Sequence, residues 1–315
     1  MNIAIESLQL VKRYPGQKKE DRPAIDAIDL TVEVGQLYGL VGPDGAGKTT
    51  LLRILSTVME PTSGSAQLAG FDVLKQSEDV RALLGYMPQA FSLYPDLTVM
   101  ENLKFFANIN DVPREKQKAR IEELLEFARL TEFTARRSEN LSGGMRKKLA
   151  LACALIHEPK ILLLDEPTTG VDPVSRRELW RLLSKVIQQG VTVLVSTPYM
   201  DEAERCNTVS IINQGRILIS GAPAELEAQL PFQVVEVKAK PRRTLRQVVG
   251  QSEGVLSWRA VGDRLRLSVK EAEKIQSRLA ADLKKAGAEV SILRQAKPMM
   301  EDVFIHLVEH RKGEA

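Results

Sequence analysis

The sequence predicts an α/β protein, with a main domain built on a mostly parallel sheet and a smaller α+β domain after it. Apolar, strand-sized segments alternate with helical segments in the first part of the chain, which is typical of a parallel sheet covered by helices on both faces. The clearest of these strands lie at 161–164, 191–195 and 209–212. After the proline at position 231 the pattern changes, so we expect domains at 1–230 and 231–315.

Further layers are expected around this core. Apolar residues alternate at 3–12 and at 28–34, which predicts an antiparallel β subdomain. Residues 80–148 have mostly helical apolar spacing and predict a helical subdomain at about 90–148. After 231, the order strand, helix, two strands, helix, strand and a final helix predicts a small ferredoxin-like domain.

Composition excludes several classes of protein. The 315 residues are 43% hydrophobic and 27% charged, as in soluble globular proteins, and the net charge of +3 is too mild to indicate nucleic acid binding. No apolar run approaches the roughly 20 residues of a membrane span, and the N-terminus lacks the pattern of a signal peptide. Cys153 and Cys206 are far apart, which favours free thiols in a reducing, cytoplasmic compartment.

The strongest motif is GPDGAGKTT, which joins a predicted strand at 37–41 to a helix. Glycines let backbone amides wrap around phosphate oxygens, and the start of the helix adds a positive dipole. Lys48 suits the β and γ phosphates of a nucleotide, and the Thr49 hydroxyl suits Mg²⁺. A glycine turn that binds nothing is the alternative, and the flanking strand and helix argue against it. The predicted nucleotide-binding residues are Gly42, Pro43, Asp44, Gly45, Ala46, Gly47, Lys48, Thr49 and Thr50.

Two carboxylates follow the predicted strand at 161–164. Asp165, at the strand end, is placed to hold Mg²⁺ through water, and Glu166 is placed to act as general base on a water that attacks the terminal phosphate. Alone, such a pair is often a solvated turn. Together with a phosphate loop in the same chain, it predicts a catalytic site.

The segment LSGGM opens another helix that suits an anion. Ser142 is its predicted N-cap, and Gly143 and Gly144 follow although glycine is a poor helix former. A plain capped helix explains the serine but not the glycines. We expect such glycines where a phosphate must approach the backbone closely.

These three motifs, in this order, resemble those of the ATP-binding subunits of ABC transporters, and the resemblance extends over about residues 4–230. It implies that ATP and Mg²⁺ are bound by the Walker A loop at 42–50, the Walker B end at Asp165 and Glu166, and the signature at 141–145.

The same resemblance assigns roles to residues outside these motifs. Gln89 matches the Q-loop, a Mg²⁺ ligand that also senses a membrane partner, and Asp172 matches the D-loop. Tyr14 is placed like the aromatic residue that stacks on adenine; the alternative for this tyrosine is a core residue at a strand end.

The family also implies partners. Two ATPase domains, identical or different, face each other so that each ATP lies between the Walker motifs of one and the signature of the other. Integral-membrane permease subunits form the transport path, so the chain is expected in the cytoplasm, held at the inner face of the membrane by those partners. The C-terminal segment MEDVFIHL is similar to the tail of the ATPases of ABC-2-type exporters of drugs, lipids or polysaccharides. The phosphate loop GPDG, with Asp44 where the family usually has asparagine, resembles that of the first half of fused double-ATPase efflux subunits.

One position departs from the family pattern. Pro198 stands where the family has a switch histidine that contacts the γ-phosphate and helps to orient Glu166. Proline has no side-chain donor, so we expect ATP to be hydrolysed slowly at this chain's own site. We expect Thr197 to cap the following helix and Pro198 to be its first residue.

Three other readings stay open at this point. An ABC-type ATPase acting on ribosomes or DNA is disfavoured, because no long coiled coil separates Lys48 from Ser142. A nucleotide-gated clamp with little turnover is favoured by Pro198 and disfavoured by Glu166. The segment from His306 to His310 spells the H-x-x-E-H zinc motif, but a solvated amphipathic helix is the preferred interpretation.

Overall fold

The computed structural model describes residues 2–18, 20–90 and 93–313, with side chains as far as 309. The chain divides into two compact units, Met1–Pro223 and Ala224–Ala315. The expected boundary at 230/231 falls inside the second unit, after a short helix. Glu227 of that helix is buried, and its carboxylate lies 2.9 Å from the ammonium group of Lys297 in the same unit.

The first unit is an α/β core with a second, antiparallel sheet. Its strands are β1 (Ile3–Lys12), β2 (Ile25–Glu33), β3 (Leu37–Val41), β4 (Ser63–Leu68), β5 (Phe71–Asp72), β6 (Leu84–Met87), β7 (Ile161–Asp165), β8 (Thr192–Thr197), β9 (Thr208–Asn213) and β10 (Arg216–Gly221). Its helices are α1 (Lys48–Leu55), α2 (Ser77–Leu83), α3 (Val99–Ile109), α4 (Arg114–Ala128), α5 (Gly143–Ala154), α6 (Pro173–Gln188) and α7 (Met200–Ala203).

The central sheet has the strand order β10-β9-β3-β8-β7-β6. β10 pairs antiparallel with β9, and the other neighbours pair in parallel. Every residue of β3, β7 and β8 is buried, as the apolar runs of the sequence predict. The antiparallel sheet has the order β2-β1-β4-β5, so the predicted α/β fold with an added β layer is confirmed.

Helices α3, α4 and α5 follow β6 in the chain and occupy the region where a helical subdomain is expected. α3 begins with a capping box, in which the Thr98 side chain accepts from the Glu101 amide and the Glu101 carboxylate accepts from the Thr98 amide. The expectation of helix from 80 onward is wrong at β6, which pairs with β7. Its four residues, Leu-Gly-Tyr-Met, are too few to show a strand period.

The second unit has the predicted ferredoxin-like arrangement. Its elements are α8 (Pro223–Ala228), β11 (Gln233–Lys240), α9 (Arg242–Gln251), β12 (Val255–Val261), β13 (Arg264–Val269), α10 (Ala272–Lys285), β14 (Glu289–Ala296) and α11 (Met300–Gly313). The sheet is antiparallel with the order β12-β13-β11-β14, and α9 and α10 supply Leu245, Val249 and Leu279 to its core. In the part of the chain that the structure describes, no helix is both long and apolar enough to cross a membrane.

Candidate nucleotide site

Three strand ends that carry predicted site residues meet at one edge of the central sheet. β8 lies between β3 and β7, and its register pairs Thr197 with Val41 and Ser196 with Asp165. Because parallel strands end at the same edge, the segments that follow them lie close together. The phosphate loop after β3, Glu166 after β7 and Pro198 after β8 therefore converge.

Glycines shape the phosphate loop where it packs against the rest of the sheet. Gly47 is the N-cap of α1 with a φ of 109°, and a Cβ there would lie 2.6 Å from the carbonyl oxygen of Ala24. A Cβ on Gly42 would collide with the carbonyl oxygen of Ile212. Gly45, with a φ of 75°, faces open space. Gly47 and Gly42 are thus required by close packing, and Gly45 is required by its backbone conformation.

Lys48 turns back into the loop that precedes it. Its side chain is only 3% exposed, and its ammonium group donates to the carbonyl oxygens of Gly42 at 2.8 Å and of Pro43 at 3.0 Å. The same group lies 3.2 Å from a carboxylate oxygen of Glu166. Asp44, at the tip of the loop, is exposed, whereas Ala46 is buried. The structure therefore brings the phosphate loop and Glu166 into direct contact.

Glu166 is also held by neutral donors. The Gln89 amide donates to its carboxylate at 2.9 Å and the Thr169 hydroxyl donates at 3.2 Å. The backbone of Glu166 has a φ of 48°, in the left-handed region that residues other than glycine rarely adopt, and its amide donates to the Ser196 hydroxyl at 3.0 Å. Such backbone strain tends to occur at functional sites.

Asp165 has one satisfied oxygen and one unsatisfied oxygen. Its Oδ1 accepts from Ser196 at 2.7 Å and from Thr49 at 3.2 Å, while its Oδ2 is buried without a partner. Burial raises the pKa of this carboxyl group, against the opposing effect of the Ser196 and Thr49 hydrogen bonds. Carboxylate and hydroxyl oxygens are ligands that Mg²⁺ prefers, so these residues fit a magnesium ion. Across the described ranges, no cluster of three or more His, Cys, Asp or Glu offers another metal site.

Lys147 is a member of the site that the sequence analysis misses. It lies on α5, is buried, and donates from Nζ to the backbone oxygen of Gln89 at 3.2 Å and of Glu166 at 3.5 Å. Burial lowers the pKa of Lys147, and the charges of Asp165 and Glu166 oppose that effect. A lysine five residues after a helix N-cap carries no sequence signal of such a role; only the position of α5 beside β6 reveals it.

The signature segment is explained partly by packing within the chain. Ser142 caps α5 as predicted, since its hydroxyl accepts from the Met145 amide at 3.2 Å. A Cβ on Gly143 would meet only the Gly170 carbonyl, at 3.7 Å, so this position is open. A Cβ on Gly144 would instead collide with the Ser175 side chain. Gly144 is therefore already required by the packing of α5 against α6, and the expectation that both glycines serve phosphate approach stays a prediction.

Tyr14 and Asp172 occupy different parts of the unit. The Tyr14 hydroxyl lies 3.0 Å from the Thr50 hydroxyl on α1, and 37% of the residue is exposed. This places the tyrosine ring beside the phosphate loop rather than in the core. Asp172 is the N-cap of α6, where its carboxylate accepts from the amides of Val174 and Ser175, each at 3.0 Å.

The expected helix cap after β8 is wrong. α7 begins at Met200 with Tyr199 as its N-cap, so Pro198 lies before the helix rather than at its first position. Thr197 is still paired within β8, and its hydroxyl donates to the Glu202 carboxylate at 2.6 Å while accepting from the Tyr199 amide at 3.1 Å. Pro198 is thus held in a bend at the site edge.

The zinc motif in α11 is only partly described. His306 is half-buried, and its ring packs edge-on against Phe232 with the centroids 5.5 Å apart. This face of the helix is therefore less solvated than expected. The side chain of His310 lies outside the described residues.

Comparison with known proteins agrees with the motifs. Residues 25–169 match the family model described as ABC transporter. The chain is 44% identical to the probable multidrug ABC transporter ATP-binding protein YbhF of Escherichia coli over 98% of this chain and 53% of YbhF. It thus spans about half the length of that relative. It is also 35% identical to the daunorubicin resistance ATP-binding protein DrrA3 of Streptomyces coeruleorubidus, over 94% of this chain and 93% of the relative.

Solved structures give the same result for the fold. An ATP-binding subunit of an ABC transporter aligns with a TM-score of 0.64 at 27% identity, covering 72% of this chain and 92% of that chain. A dimeric ATP-binding cassette in a post-hydrolysis state with ADP and phosphate aligns with a TM-score of 0.63 at 27% identity, covering 69% of this chain and 98% of the other. The chain therefore belongs to the ABC transporter family, and its first unit has the fold of that family's ATP-binding domains.

Proposed function

We propose that this chain binds ATP with Mg²⁺ and hydrolyses it to power an ABC-2-type exporter. The observation that carries the proposal is the convergence of the phosphate loop, Asp165, Glu166 and Gln89 at one sheet edge. A phosphate loop binds the nucleotide, and a carboxylate beside it supplies the base that hydrolysis needs.

Each site residue has a proposed role. Lys48 neutralises phosphate charge, and the loop amides of 42–50 with the start of α1 hold the phosphates. Thr49, Asp165 and Gln89 would hold Mg²⁺, which supplies charge neutralisation and polarises a phosphate oxygen when bound. Glu166 takes a proton from the attacking water.

The remaining proposed contacts lie outside the catalytic centre. Tyr14 stacks on adenine, which its exposed ring beside Thr50 supports. Ser142, Gly143 and Asp172 belong to the surface that meets a second ATPase domain. The open backbone at Gly143 supports this use, because among the described residues a Cβ there would meet only the Gly170 carbonyl oxygen, at 3.7 Å.

The position of Pro198 supports slow hydrolysis at this chain's own site. Pro198 follows the last residue of β8 and has no side-chain donor to place near a phosphate. Removing one positioned donor from a transition state costs roughly 100- to 1,000-fold in rate. We propose an asymmetric pair, in which this chain holds ATP while its signature completes a faster site on a different ATPase domain.

The proposed partners follow from the same function. Relatives are named for multidrug transport, daunorubicin resistance and Nod factor export, and an exporter needs a membrane path. We propose permease subunits as that path, with the chain on the cytoplasmic face of the membrane.

The tests use the chain assembled with its membrane subunits and with a second ATPase domain whose own catalytic glutamate is replaced by glutamine, so that the measured turnover comes from this chain's site. Pro198→His should raise Mg²⁺-dependent ATP turnover by at least about 10-fold, which would recover part of the roughly 100- to 1,000-fold that one positioned donor contributes. Tyr199→His, which puts the same side chain one position later, is the matched control and should give no such gain. If Pro198→His has no effect, another residue supplies the missing contact and the slow-site proposal fails.

A nucleotide-gated clamp with little turnover is the second candidate. It is favoured by the Lys48–Glu166 contact, in which the proposed base is engaged by a buried cation. Glu166→Gln separates the two functions. In the assembly in which only this chain's site turns over, a fall of at least 10-fold supports the ATPase, whereas unchanged turnover would favour the clamp.

A further inference from the structure

A buried carboxylate on α7 connects three segments that border the proposed site. Glu202 has no exposed surface, and its two oxygens accept four hydrogen bonds. Oε2 accepts from the hydroxyls of Thr168 at 3.1 Å and Thr197 at 2.6 Å. Oε1 accepts from Arg176 Nε at 2.6 Å and from the indole of Trp180 at 3.0 Å. We name these five side chains the Glu202 hub.

Two of the four donors come from positions next to the proposed chemistry. Thr168 follows Glu166 by two residues, and Thr197 directly precedes Pro198. Arg176 and Trp180 lie on α6. The hub therefore ties the loop after β7 and the end of β8 to one helix.

Stability alone does not account for a carboxylate at this place. Burying an ionised group is costly, and apolar side chains of similar volume commonly hold segments together as well or better. A carboxylate differs in that its two oxygens accept from several donors at once, which fixes their mutual geometry. That property matters where Glu166 sits in a strained left-handed conformation and Pro198 offers no donor of its own.

α6 has a second connection, to the signature helix. Gly144 of α5 packs so closely on Ser175 of α6 that no Cβ fits between them. Ser175 and Arg176 are neighbours in the first turns of α6. Because Arg176 and Trp180 donate to Glu202, a displacement of α5 or α6 would thus be transmitted to the Glu202 carboxylate.

We propose that Glu202 is a positioning residue for hydrolysis: through the hub it sets the loop after Glu166 and the end of β8 relative to α6. The inference rests on the proposed ATPase function. The oxygens of Glu202 are occupied by the four hub donors, so we assign it no contact with the nucleotide. It acts on the rate by holding the backbone that carries Glu166 and Pro198.

The first test separates kcat from KM for this chain's own site, in the assembly whose second ATPase domain carries the glutamate-to-glutamine replacement. Glu202→Gln keeps the shape but leaves one acceptor oxygen and turns a new donor toward existing donors, so kcat should fall about 10-fold or more while KM for MgATP changes less than about threefold. Asp201→Asn is the matched control, since Asp201 pairs with the same Arg176 but is exposed. It should keep kcat within about twofold of the wild-type value.

Two results of that test would overturn the proposal. One is an unchanged kcat in Glu202→Gln. The other is a parallel loss of kcat, ATP affinity and Tm, which indicates a structural tie only. If Glu202→Gln fails to fold, the isosteric pair Thr168→Val and Thr197→Val replaces it, and an unchanged kcat in that pair is equally negative.

The second test monitors the Glu202 hub by tryptophan fluorescence. The chain has two tryptophans, and Trp258→Phe leaves Trp180 as the single reporter, with its indole N–H on Glu202. MgATP binding should change the Trp180 emission, and Glu202→Gln should abolish that change. If the Trp180 emission of the Trp258→Phe chain with Glu202 intact is unchanged when MgATP binds, the inference is contradicted.

The proposed ATPase function and the proposed role of Glu202 are contradicted by different results. If the wild-type assembly binds no MgATP or shows no turnover, the proposed function is wrong. If the wild type turns over ATP and Glu202→Gln does so equally well, only the inference about Glu202 is wrong.

Discussion

The ammonium group of Lys48 lies 3.2 Å from the carboxylate of Glu166, and both side chains are almost completely buried. Each group is the other's counter-charge in a place with little water. The residue proposed to bind phosphate is therefore engaged by the residue proposed to activate water. Phosphate binding must exchange one anionic partner of Lys48 for another.

This contact predicts an effect on affinity as well as on rate. Glu166→Gln removes the carboxylate that competes for Lys48, so ATP should bind about 3- to 10-fold more tightly. The check is a titration with a fluorescent ATP analogue, with Lys48→Ala as the control that should lose most binding. Weaker ATP binding by Glu166→Gln would contradict the idea that the two anions compete.

Tyr14 offers a separate prediction about the base of the nucleotide. Tyr14→Phe keeps the ring and loses the contact with Thr50, so ATP affinity should stay within about twofold. Tyr14→Ala removes the stacking surface and should weaken ATP binding by roughly 10-fold, the usual effect of losing one base–aromatic stack. Equal losses in both variants would assign the effect to the hydroxyl instead.

The two signature glycines should respond differently to alanine. Gly144→Ala forces a Cβ into Ser175 and should destabilise the chain by about 1–3 kcal/mol. Ser175→Gly in the same chain should restore most of that loss in thermal unfolding. Gly143→Ala should leave Tm unchanged or slightly higher, because its Cβ would meet only the Gly170 carbonyl oxygen, at 3.7 Å, and it should lower only partner-dependent turnover. A large loss of Tm in Gly143→Ala would contradict the geometry.

Asp165 predicts a stability effect that depends on pH. Burial raises its pKa in the folded chain, so the stability it contributes is present below its unfolded pKa and is lost as pH rises through the raised value. Asp165→Asn removes that loss, and without nucleotide or Mg²⁺ it should raise the free energy of unfolding near pH 7.5. The gain should disappear at acid pH. Exposed Asp44→Asn is the control, and a gain that is equal at all pH values would refute the assignment.

Local patterns were enough to predict the strand ends and the phosphate loop. Short apolar strands, a glycine loop and a carboxylate pair are each encoded within ten residues, and parallel topology then brings their ends together. The hydrogen bond from Ser142 to the Met145 amide follows from the same local rules. These parts depend little on the rest of the chain.

The features that sequence analysis missed depend on contacts between distant segments. Lys147 reads as an ordinary helical lysine until α5 places it against Gln89 and Glu166. Gly144 is explained by Ser175, more than thirty residues later, and Glu202 by donors on a strand, a loop and a helix. The proposed roles of Tyr14 and Asp172 stay predictions.

The position of β8 between β3 and β7 has a consequence for how the chain is synthesised. The phosphate loop and the acidic pair are made first, yet the strands that carry them, β3 and β7, are joined in one sheet only when residues 192–197 pair with both of them. A ribosome-bound chain that ends before β8 contains the phosphate loop and the acidic pair but lacks the strand that aligns them. Nucleotide binding should therefore begin only after β8 has left the exit tunnel, late in translation of the first unit.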